Sequence, residues 1–410
     1  MKKKVLILTG DAGFGHRSAS NAIADALAHN SEFEFETKIE NLLDHSSVPA
    51  WLQNTQSDYD KIVKDMPKFY EFSYEYSDNP LPTQIASIGL SAILSRAYKQ
   101  AIDSFQPDLV VNTYPIYHGP AQSWYFVNEE TWKTEFFTKN KVNQVDLDLI
   151  RLGGKRSSSQ EAELKKHIPF ITVITDLVSV HMIWMSKMPD KYCVGTDEMK
   201  ELVIDYGIQP EKISVTGIPV KPIFALENRT KRQLRIDMGW DPDKTAILAM
   251  GSKRVSNLMG YLRAINHSGF DLQLILVAGG DEALYKQFIA EDWHIPVKIE
   301  NFANDIPSKL MACDMVISKA GGLITSESLA AGAPMLIVDV IPGQEEGNAI
   351  YVQTNQTGAI VNDPIMMLET IAHWLMDDAA ELKRITENVK RIGKPRSSLE
   401  VADVIASCLR

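Results

Sequence analysis

The feature that most constrains the fold of this 410-residue chain is a repeated alternation of short apolar runs with helix-length segments. The runs are rich in Val, Ile and Leu along their whole length, which is typical of parallel strands buried on both faces. Because parallel neighbours are joined by crossover helices, the alternation predicts βαβ units. The runs form two sets, VLILT (5–9), DLVVNTYP (108–115), FITVITD (170–176), YCVG (192–195) and ISVTGIP (213–219), then TAILAMG (245–251), LQLILVAGG (272–280), PVKIENF (296–302), DMVISKAGG (314–322) and PMLIVDV (334–340).

Two sets of βαβ units predict two doubly wound domains of the α/β class. The length agrees, because a single hydrophobic core stops growing beyond about 250–300 residues. The Pro-rich stretch TGIPVKPIF (216–224) lies between the two sets. Its prolines stiffen the connector and deny it a helix, so we predict the hinge there.

Composition and charge exclude several classes of protein. Hydrophobic residues make up 45% of the chain, which excludes a chain that is disordered as a whole. The 42 Lys and Arg against 53 Asp and Glu give a net charge of −11, so we expect no nucleic-acid partner. Three well-separated cysteines, Cys193, Cys313 and Cys408, have no metal-ligand spacing and are typical of a reducing cytoplasm.

The apolar runs are too short for a targeting segment or a membrane span. VLILT (5–9) falls below the roughly 7–15 apolar residues of a signal peptide. No window reaches the about 18 apolar residues of a spanning helix. We therefore expect a cytoplasmic protein that is soluble or at most peripheral at a membrane.

The loop after the first run, GDAGFGHRSAS (10–20), is a candidate ligand site, because ligands of open α/β sheets bind beyond the carboxyl ends of strands. Its glycines let the backbone turn and approach a ligand. Their GxxGxG spacing differs from the dinucleotide fingerprint, and only Glu40 is a weak candidate for the acidic partner, which leaves NAD(P) the weaker interpretation. His16 lies where a neutral imidazole can take a proton from a hydroxyl. The alternative is that His16 caps or orients the loop.

A second candidate site is SKAGGLITSESLAAGAPMLIVDVIPGQEEGNAIYV (318–352). Gly321 and Gly322 permit a turn before a helix whose first N–H groups can hold a diphosphate. Glu327 can accept hydrogen bonds from a ribose diol. The later polar residues, Gln344, Glu345 and Asn348, suit the hydroxyls of a sugar. The alternative is a simple turn followed by a solvated loop.

Five segments in this order resemble the monogalactosyldiacylglycerol synthase and processive diacylglycerol glucosyltransferase family: GDAGFGHRSASNAI, ITVITDLVSVHMIW, DKYCVG, KISVTGIPV and the 318–352 segment. The resemblance spans most of residues 4–352. The family is related to the peptidoglycan enzyme that adds N-acetylglucosamine to lipid I. The resemblance implies a GT-B fold, in which two Rossmann-like domains face a central cleft.

The resemblance also implies a domain plan and a reaction. An N-terminal domain over 1–218 would bind a lipid acceptor at a membrane, and a C-terminal domain over 219–385 would bind a UDP-sugar. A final helix over 386–410 would pack back towards the N-terminal domain. A hexose would move to diacylglycerol or a related lipid with inversion, without a catalytic metal or other cofactor, at the inner face of the cell membrane.

The resemblance assigns roles to single residues, several of which are already candidates from the two loops. On the acceptor side it implies a loop of Gly13 and Gly15 with His16 as the base, and a TD…H..W motif. In that motif Asp176 is a second catalytic candidate, and His181 and Trp184 lie near the acceptor. For the donor it implies Phe302 at the uracil, Gly321, Gly322, Thr325 and Glu327 at the diphosphate and ribose, and Gln344, Glu345 and Asn348 at the sugar. Gly251 and Ser252, in the first loop of the C-terminal domain, are further donor-binding candidates.

Two segments depart from the family pattern. The loop MGSKRVSNLMG (250–260) continues from Gly251 with Ser252, Lys253 and Arg254, where the family carries several glycines. Its basic side chains can neutralise a diphosphate, or the loop closes less well over the donor. Residues 121–167 exceed the family's length and predict a surface loop. This insertion contains VDLDL (145–149), whose DxD pattern is a weak indication of a metal role outside its usual context.

The stretch 51–105 contains the candidate membrane contact. Its first part combines lysines and aromatic residues, which suit a headgroup interface: Trp51, Tyr59, Lys61, Lys64, Lys68, Phe69, Tyr70, Phe72, Tyr74 and Tyr76. Its second part places apolar residues on one face of a predicted helix over 83–105, at Leu94, Tyr98, Ala101, Ile102 and Phe105. Such a stripe is predicted to pack in the core.

Three other functions stay open at this point. The first is an isomerase of the UDP-N-acetylglucosamine epimerase kind, which uses the same two-domain arrangement. The second is a non-catalytic UDP-sugar-binding protein, and the third is a transferase with a different acceptor. The sequence does not distinguish between hexoses or predict an oligomeric state.

Overall fold

The computed structural model of the chain describes residues 2–11, 14–53, 80–126, 167–252, 255, 257–341 and 345–410. Several predicted features lie outside the described residues. They are Gly13, Lys253, Arg254, Gln344, most of the aromatic stretch and, with its DxD pattern, most of the 121–167 insertion. The labels below number the elements of the described residues in chain order.

The N-terminal domain is built on a six-stranded parallel sheet in the order β2-β1-β3-β4-β5-β6. The strands are β1 (Lys3–Leu8), β2 (Phe35–Glu40), β3 (Leu109–Asn112), β4 (Phe170–Val173), β5 (Lys191–Val194) and β6 (Ile213–Val215). The helices between them are α1 (Phe14–Leu27), α2 (Pro80–Phe105), α3 (His118–Phe126) and α4 (Asp197–Asp205). Central strands such as β3 and β4 are buried at every residue, as continuous apolar runs predict.

The C-terminal domain repeats the scheme, with six parallel strands in the order β12-β11-β10-β7-β8-β9. The strands are β7 (Thr245–Met250), β8 (Leu272–Val277), β9 (Val297–Glu300), β10 (Met315–Lys319), β11 (Met335–Asp339) and β12 (Gly358–Ile360). The helices are α5 (Ile223–Leu226), α6 (Lys231–Asp237), α7 (Leu258–Asn266), α8 (Glu282–Ala290), α9 (Ile306–Ala312), α10 (Gly322–Ala331), α11 (Glu346–Thr354) and α12 (Pro364–Ile392). The prediction of two doubly wound domains is confirmed.

The apolar stripe on α2 belongs to the core. Leu94, Tyr98, Ala101 and Ile102 are buried in one cluster that also contains Leu6 of β1. Phe105 packs against the same cluster and is partly buried. The core prediction for this helix face is therefore confirmed.

The edge strands β2 and β12 were not predicted from the sequence. The sequence of β2, FETKIE, has only two apolar residues, Phe35 and Ile39, and its side chains are partly exposed. An edge strand has one open side, so it lacks the unbroken apolar run of a central strand. The acidic residue Glu40 does end this strand, but the glycine spacing of the loop after β1 still differs from the dinucleotide fingerprint.

The chain returns to the N-terminal domain at its end. α12 is interrupted where Asp377, Asp378 and Ala379 adopt positive φ. Beyond it, α13 (Ser397–Ser407) packs against α1 and buries apolar side chains of the N-terminal core: Val401, Ala402 and Ile405. None of the described helices combines the length and apolarity needed to cross a bilayer.

The two chain crossings between the domains contact each other. Val220 N donates a hydrogen bond to Ser397 Oγ at 3.0 Å. Gly217 has a φ of +86°, and a Cβ there would lie 2.7 Å from Lys394 Cβ and 2.9 Å from Ser397 Cβ. The first crossing therefore requires glycine both for its backbone conformation and for its contact with the second crossing.

We predict that Gly217→Ala lowers the free energy of unfolding by about 1–3 kcal/mol more than Gly207→Ala does. Gly207 is the matched control, because it has the same φ of +86° but nothing within 4 Å of an added Cβ. Both variants have the strain of a left-handed alanine, whereas only Gly217→Ala displaces the second crossing. Urea denaturation measures the difference, and equal losses would contradict the steric argument.

Candidate active site between the domains

The start of α1 in the N-terminal domain meets the start of α10 in the C-terminal domain. A Cβ at Gly15 would lie 4.0 Å from Leu323 Cβ. A Cβ at Gly322 would lie only 2.5 Å from the carbonyl oxygen of Thr175, just past β4. A side chain at position 322 would therefore separate the domains. The predicted acceptor loop and the predicted diphosphate helix share this junction.

His16 is held at the junction by one hydrogen bond and two aromatic rings. Its Nδ1 lies 3.0 Å from Thr175 Oγ1. The imidazole meets the ring of Tyr114 edge-on at 5.0 Å between centroids, and the ring of Trp184 lies 6.0 Å away. Burial lowers the pKa of His16 to about 4, against the opposing effects of a Thr113 backbone contact and the Asp11 charge. The imidazole is therefore neutral near pH 7, as a general base must be.

An ion pair beside His16 was missed in the sequence. Arg17 donates two hydrogen bonds of 2.8 Å to the Asp11 carboxylate, and Asn41 Nδ2 donates a third of 3.1 Å. The Arg17 hydrogen bond is the main reason that the pKa of Asp11 lies below its ordinary value. In the sequence, Asp11 precedes Gly13 and Arg17 follows Gly15. Two opposite charges at the two ends of one tight loop are the sequence signal that could have predicted this ion pair.

Asp176 faces the C-terminal domain from the end of the fourth strand. A Cβ at Gly322 would lie 3.5 Å from Asp176 Oδ1. Burial raises the pKa of Asp176 to about 7, with the charge of Glu345 adding to the rise and that of Lys319 opposing it. Asp176 thus lies against the start of α10, next in the chain to the threonine that holds His16.

Lys319 and the buried Glu345 form a partly buried ion pair at the start of α10. Lys319 ends β10, and its Nζ would lie 3.1 Å from a Cβ at Gly321. The other carboxylate oxygen of Glu345 accepts a 3.3 Å hydrogen bond from Ile341 N. The predicted sugar ligand Glu345 is therefore already paired, and its partner Lys319 was not identified in the sequence.

Asn348 joins the two domains. Its Oδ1 accepts a hydrogen bond from Leu177 N of the N-terminal domain at 3.2 Å, and its Nδ2 donates to Ala320 O at 3.1 Å. The side chain is only 3% exposed. Asn348, predicted at the donor sugar, thus has its amide occupied by backbone groups on both sides of the junction.

The predicted ribose and diphosphate residues lie on α10. Gly321 caps this helix with an extended backbone, and Thr325 is fully buried. Glu327 is buried, and burial raises its pKa to about 7, while Lys221 opposes the rise. Glu327 is accordingly protonated over part of the neutral range, a state in which it can donate as well as accept a hydrogen bond.

The uracil loop follows β9 and projects Phe302, whose side chain is 66% exposed. The buried Lys309 braces this loop with ion pairs to Glu300 at 3.0 Å and Asp305 at 2.8 Å. Gly251 directly follows β7, and its N–H donates a 2.7 Å hydrogen bond to Val277 O at the end of β8. These contacts hold in place the loops at which the uracil of the donor was predicted to bind.

The remaining acceptor-side residues, His181 and Trp184, lie at one short turn. His181 caps a short turn, where its Nδ1 accepts a 3.1 Å hydrogen bond from Ile183 N. Trp184, in the same turn, is buried beside the imidazole. Within the part of the chain that the structure describes, no three His, Cys, Asp or Glu side chains converge as a metal site requires. Catalysis without a metal stays a prediction.

Comparison with known proteins identifies similar sequences. A family model described as monogalactosyldiacylglycerol (MGDG) synthase matches residues 16–129 and 157–220. The chloroplastic monogalactosyldiacylglycerol synthase of Spinacia oleracea is 27% identical over 418 residues, covering 100% of this chain and 73% of the relative. Monogalactosyldiacylglycerol synthase 1 of Arabidopsis thaliana is 28% identical over 411 residues, covering 97% and 70%.

Solved structures share the fold at low sequence identity. MurG of Acinetobacter baumannii has a TM-score of 0.56 and 13% identity, and the match covers 99% of each chain. The UDP-GlcNAc 2-epimerase of Neisseria meningitidis, bound to UDP-GlcNAc, has a TM-score of 0.56 and 13% identity, covering 100% of this chain and 99% of that one. These likenesses confirm the GT-B fold.

We predict that Glu327→Gln changes how stability depends on pH. The folded-state pKa of Glu327 is about 7, above the ordinary 4.5, so the folded protein holds this proton longer than the unfolded chain. Stability from this group therefore falls as pH rises from about 4.5 to 7 and is constant above that. Glutamine does not titrate, so Glu327→Gln does not lose this stability. As pH rises from about 4.5 to 7, the free energy of unfolding of the variant should therefore increase relative to that of the parent by up to about 3 kcal/mol.

Denaturation in urea across this pH range, without ligand, measures the effect. Glu346→Gln is the control, because Glu346 is an exposed carboxylate on α11. A parallel pH dependence of Glu327→Gln and the parent protein would contradict the prediction.

Proposed function

The chain belongs to the monogalactosyldiacylglycerol synthase family, and from this premise we propose that it transfers a hexose from a UDP-sugar to diacylglycerol or a related lipid. It is a glycolipid-forming glycosyltransferase of the GT-B fold. The observation that supports the specific reaction is the junction itself. There a neutral imidazole from one domain lies beside the glycine-started helix of the other.

In the proposed reaction the acceptor hydroxyl displaces UDP at the anomeric carbon with inversion. A bond forms between the acceptor oxygen and that carbon, and the bond from the carbon to the UDP oxygen breaks. UDP leaves with the electron pair, and the acceptor proton passes to His16. The support is that His16 is neutral near pH 7 and is oriented by Thr175, Tyr114 and Trp184.

The donor site of the proposal is the start of α10. Its free N–H groups and dipole suit the diphosphate, and Glu327 suits the ribose. Negative charge that develops on UDP is stabilised there by fixed donors, with Lys319 at the base of the same turn. No step of the proposal uses a metal ion. Asp176 is the second candidate base, and the hydrogen bond and aromatic rings that orient the His16 imidazole favour His16.

We also propose that the protein works at a membrane surface, at the inner face of the cell membrane. A lipid acceptor requires access to a bilayer. The support is two large apolar side chains on the surface of the N-terminal domain, Trp51 at 63% exposure and Ile88 at 57%. In the sequence, Trp51 begins the aromatic stretch and Ile88 follows it, and that stretch is rich in residues suited to an interface.

The decisive experiment mixes the protein with diacylglycerol-containing vesicles and radiolabelled UDP-glucose, UDP-galactose or UDP-N-acetylglucosamine. We expect one sugar to enter the lipid fraction as a glycosyldiacylglycerol with the anomeric configuration opposite to that of the donor. NMR of the product determines the configuration. A product that retains the donor configuration would overturn the inverting mechanism.

The same assay separates the rival functions. An epimerase would convert a UDP-sugar into a different UDP-sugar without any lipid. A UDP-sugar-binding protein would bind the nucleotide and label no acceptor. A labelled lipid other than a glycerolipid would keep the transferase and replace its acceptor.

We predict that His16→Ala lowers kcat by about 100-fold or more, because it removes the base, while the Kd for UDP stays within about twofold. His29→Ala is the control, since His29 is exposed beyond the other end of α1. Initial rates and calorimetry with UDP measure the two effects. Near-parental turnover of His16→Ala would exclude His16 as the base.

A further inference from the structure

We propose that Thr175 is the positioning residue for the catalytic imidazole, because its hydroxyl accepts a hydrogen bond from Nδ1–H of His16 and leaves Nε2 to take the acceptor proton. The catalytic meaning of this inference rests on the proposed function. Thr175 lies just past β4 and is the threonine of the TD…H..W motif, in which roles were predicted from the sequence only for Asp176, His181 and Trp184.

The geometry places the threonine hydroxyl against a single atom of the ring. Oγ1 of Thr175 lies 3.0 Å from Nδ1 of His16, within the normal range of a hydrogen bond. Thr175 is buried, so bulk water does not readily replace it in this contact. Thr175 and His16 are 159 positions apart in the chain, so only the folded structure brings them together.

The aromatic neighbours of His16 do not prevent its ring from flipping, and the hydrogen bond to Thr175 does. Tyr114 and Trp184 pack against the imidazole and restrict its plane. A ring held in this way can still turn over about its Cβ–Cγ bond, which exchanges the positions of nitrogen and carbon atoms. The Thr175 hydroxyl favours the orientation that places Nδ1 towards the fourth strand, and so determines where Nε2 points.

The protonation of the ring follows from what a base must do. A neutral imidazole has one N–H donor and one nitrogen acceptor. If Nδ1 carries the hydrogen, Nε2 is the acceptor, and the hydrogen bond to Thr175 survives after His16 takes a second proton. If Thr175 donated to Nδ1 instead, Nε2 would carry the hydrogen and could not act as the base. Only the first arrangement agrees with the proposed reaction.

Thr175 also contacts the donor helix. Its carbonyl oxygen is the atom that a Cβ at Gly322 would approach to 2.5 Å. One residue therefore meets the base through its side chain and the start of α10 through its main chain. Thr175 therefore fixes the position of the imidazole relative to the helix that is proposed to hold the diphosphate.

The test compares Thr175→Val, which removes the hydroxyl at nearly constant volume, with Thr175→Ser, which keeps it. Nitrogen-15 NMR of the His16 ring near pH 7.5 reports which nitrogen carries the hydrogen. We expect Nδ1–H in the parent and in Thr175→Ser, and a mixture with Nε2–H in Thr175→Val. A parent protein with its hydrogen on Nε2 would overturn the proposal.

Kinetics provide the second readout. Thr175→Val should lower kcat by roughly tenfold or more, with KM for the UDP-sugar within about twofold, and Thr175→Ser should restore most of the rate. Unchanged kcat in Thr175→Val would also overturn the proposal. The NMR experiment needs no substrate, so it decides the role of Thr175 even if the proposed lipid product is never formed.

Thr172→Val is the matched control. Thr172 lies on β4, three residues before Thr175, and its Oγ1 is 2.8 Å from Nε2 of the buried His118. This variant removes a threonine–histidine contact of the same kind without touching His16. We expect a lower melting temperature but an unchanged His16 spectrum. A change in the His16 spectrum equal to that of Thr175→Val would show a general structural effect and contradict the specific role.

Discussion

The structure depends on one close approach, between the start of α10 and the main chain just past the fourth strand of the other domain. Gly322 permits it, because an added Cβ would lie 2.5 Å from the Thr175 carbonyl oxygen. Asn348 supports it with hydrogen bonds to main-chain groups on both sides. With these contacts in place, an imidazole from one domain and a helix start from the other share one small volume.

Burial controls the charges in that volume. It makes the imidazole of His16 a weaker base in its ground state and holds protons on Asp176 and Glu327 to higher pH, as the pKa values of about 4, 7 and 7 show. Each group is therefore less charged near neutral pH than it would be in water. In the same volume the partly buried Lys319 and the buried Glu345 form an ion pair.

The sequence predicts the fold better than it predicts the site. Central strands such as β3 are buried on both faces, and this leaves an unbroken apolar run in the sequence. The edge strands β2 and β12 lack that run and were missed. At the site, loops after strands identified His16 and Asp176 by position. Thr175 and Lys319 act through partners 159 and 26 residues away, and no local pattern records such pairings.

The contact between Gly217 and the segment of Lys394 and Ser397 has a mechanical consequence. The polypeptide passes from one lobe to the other twice, and both passages lie side by side. Two adjacent tethers resist separation of the lobes but allow them to pivot. Exchange of bulky reactants would then occur by a rotation about this point, and the parts of the cleft most distant from it would open furthest.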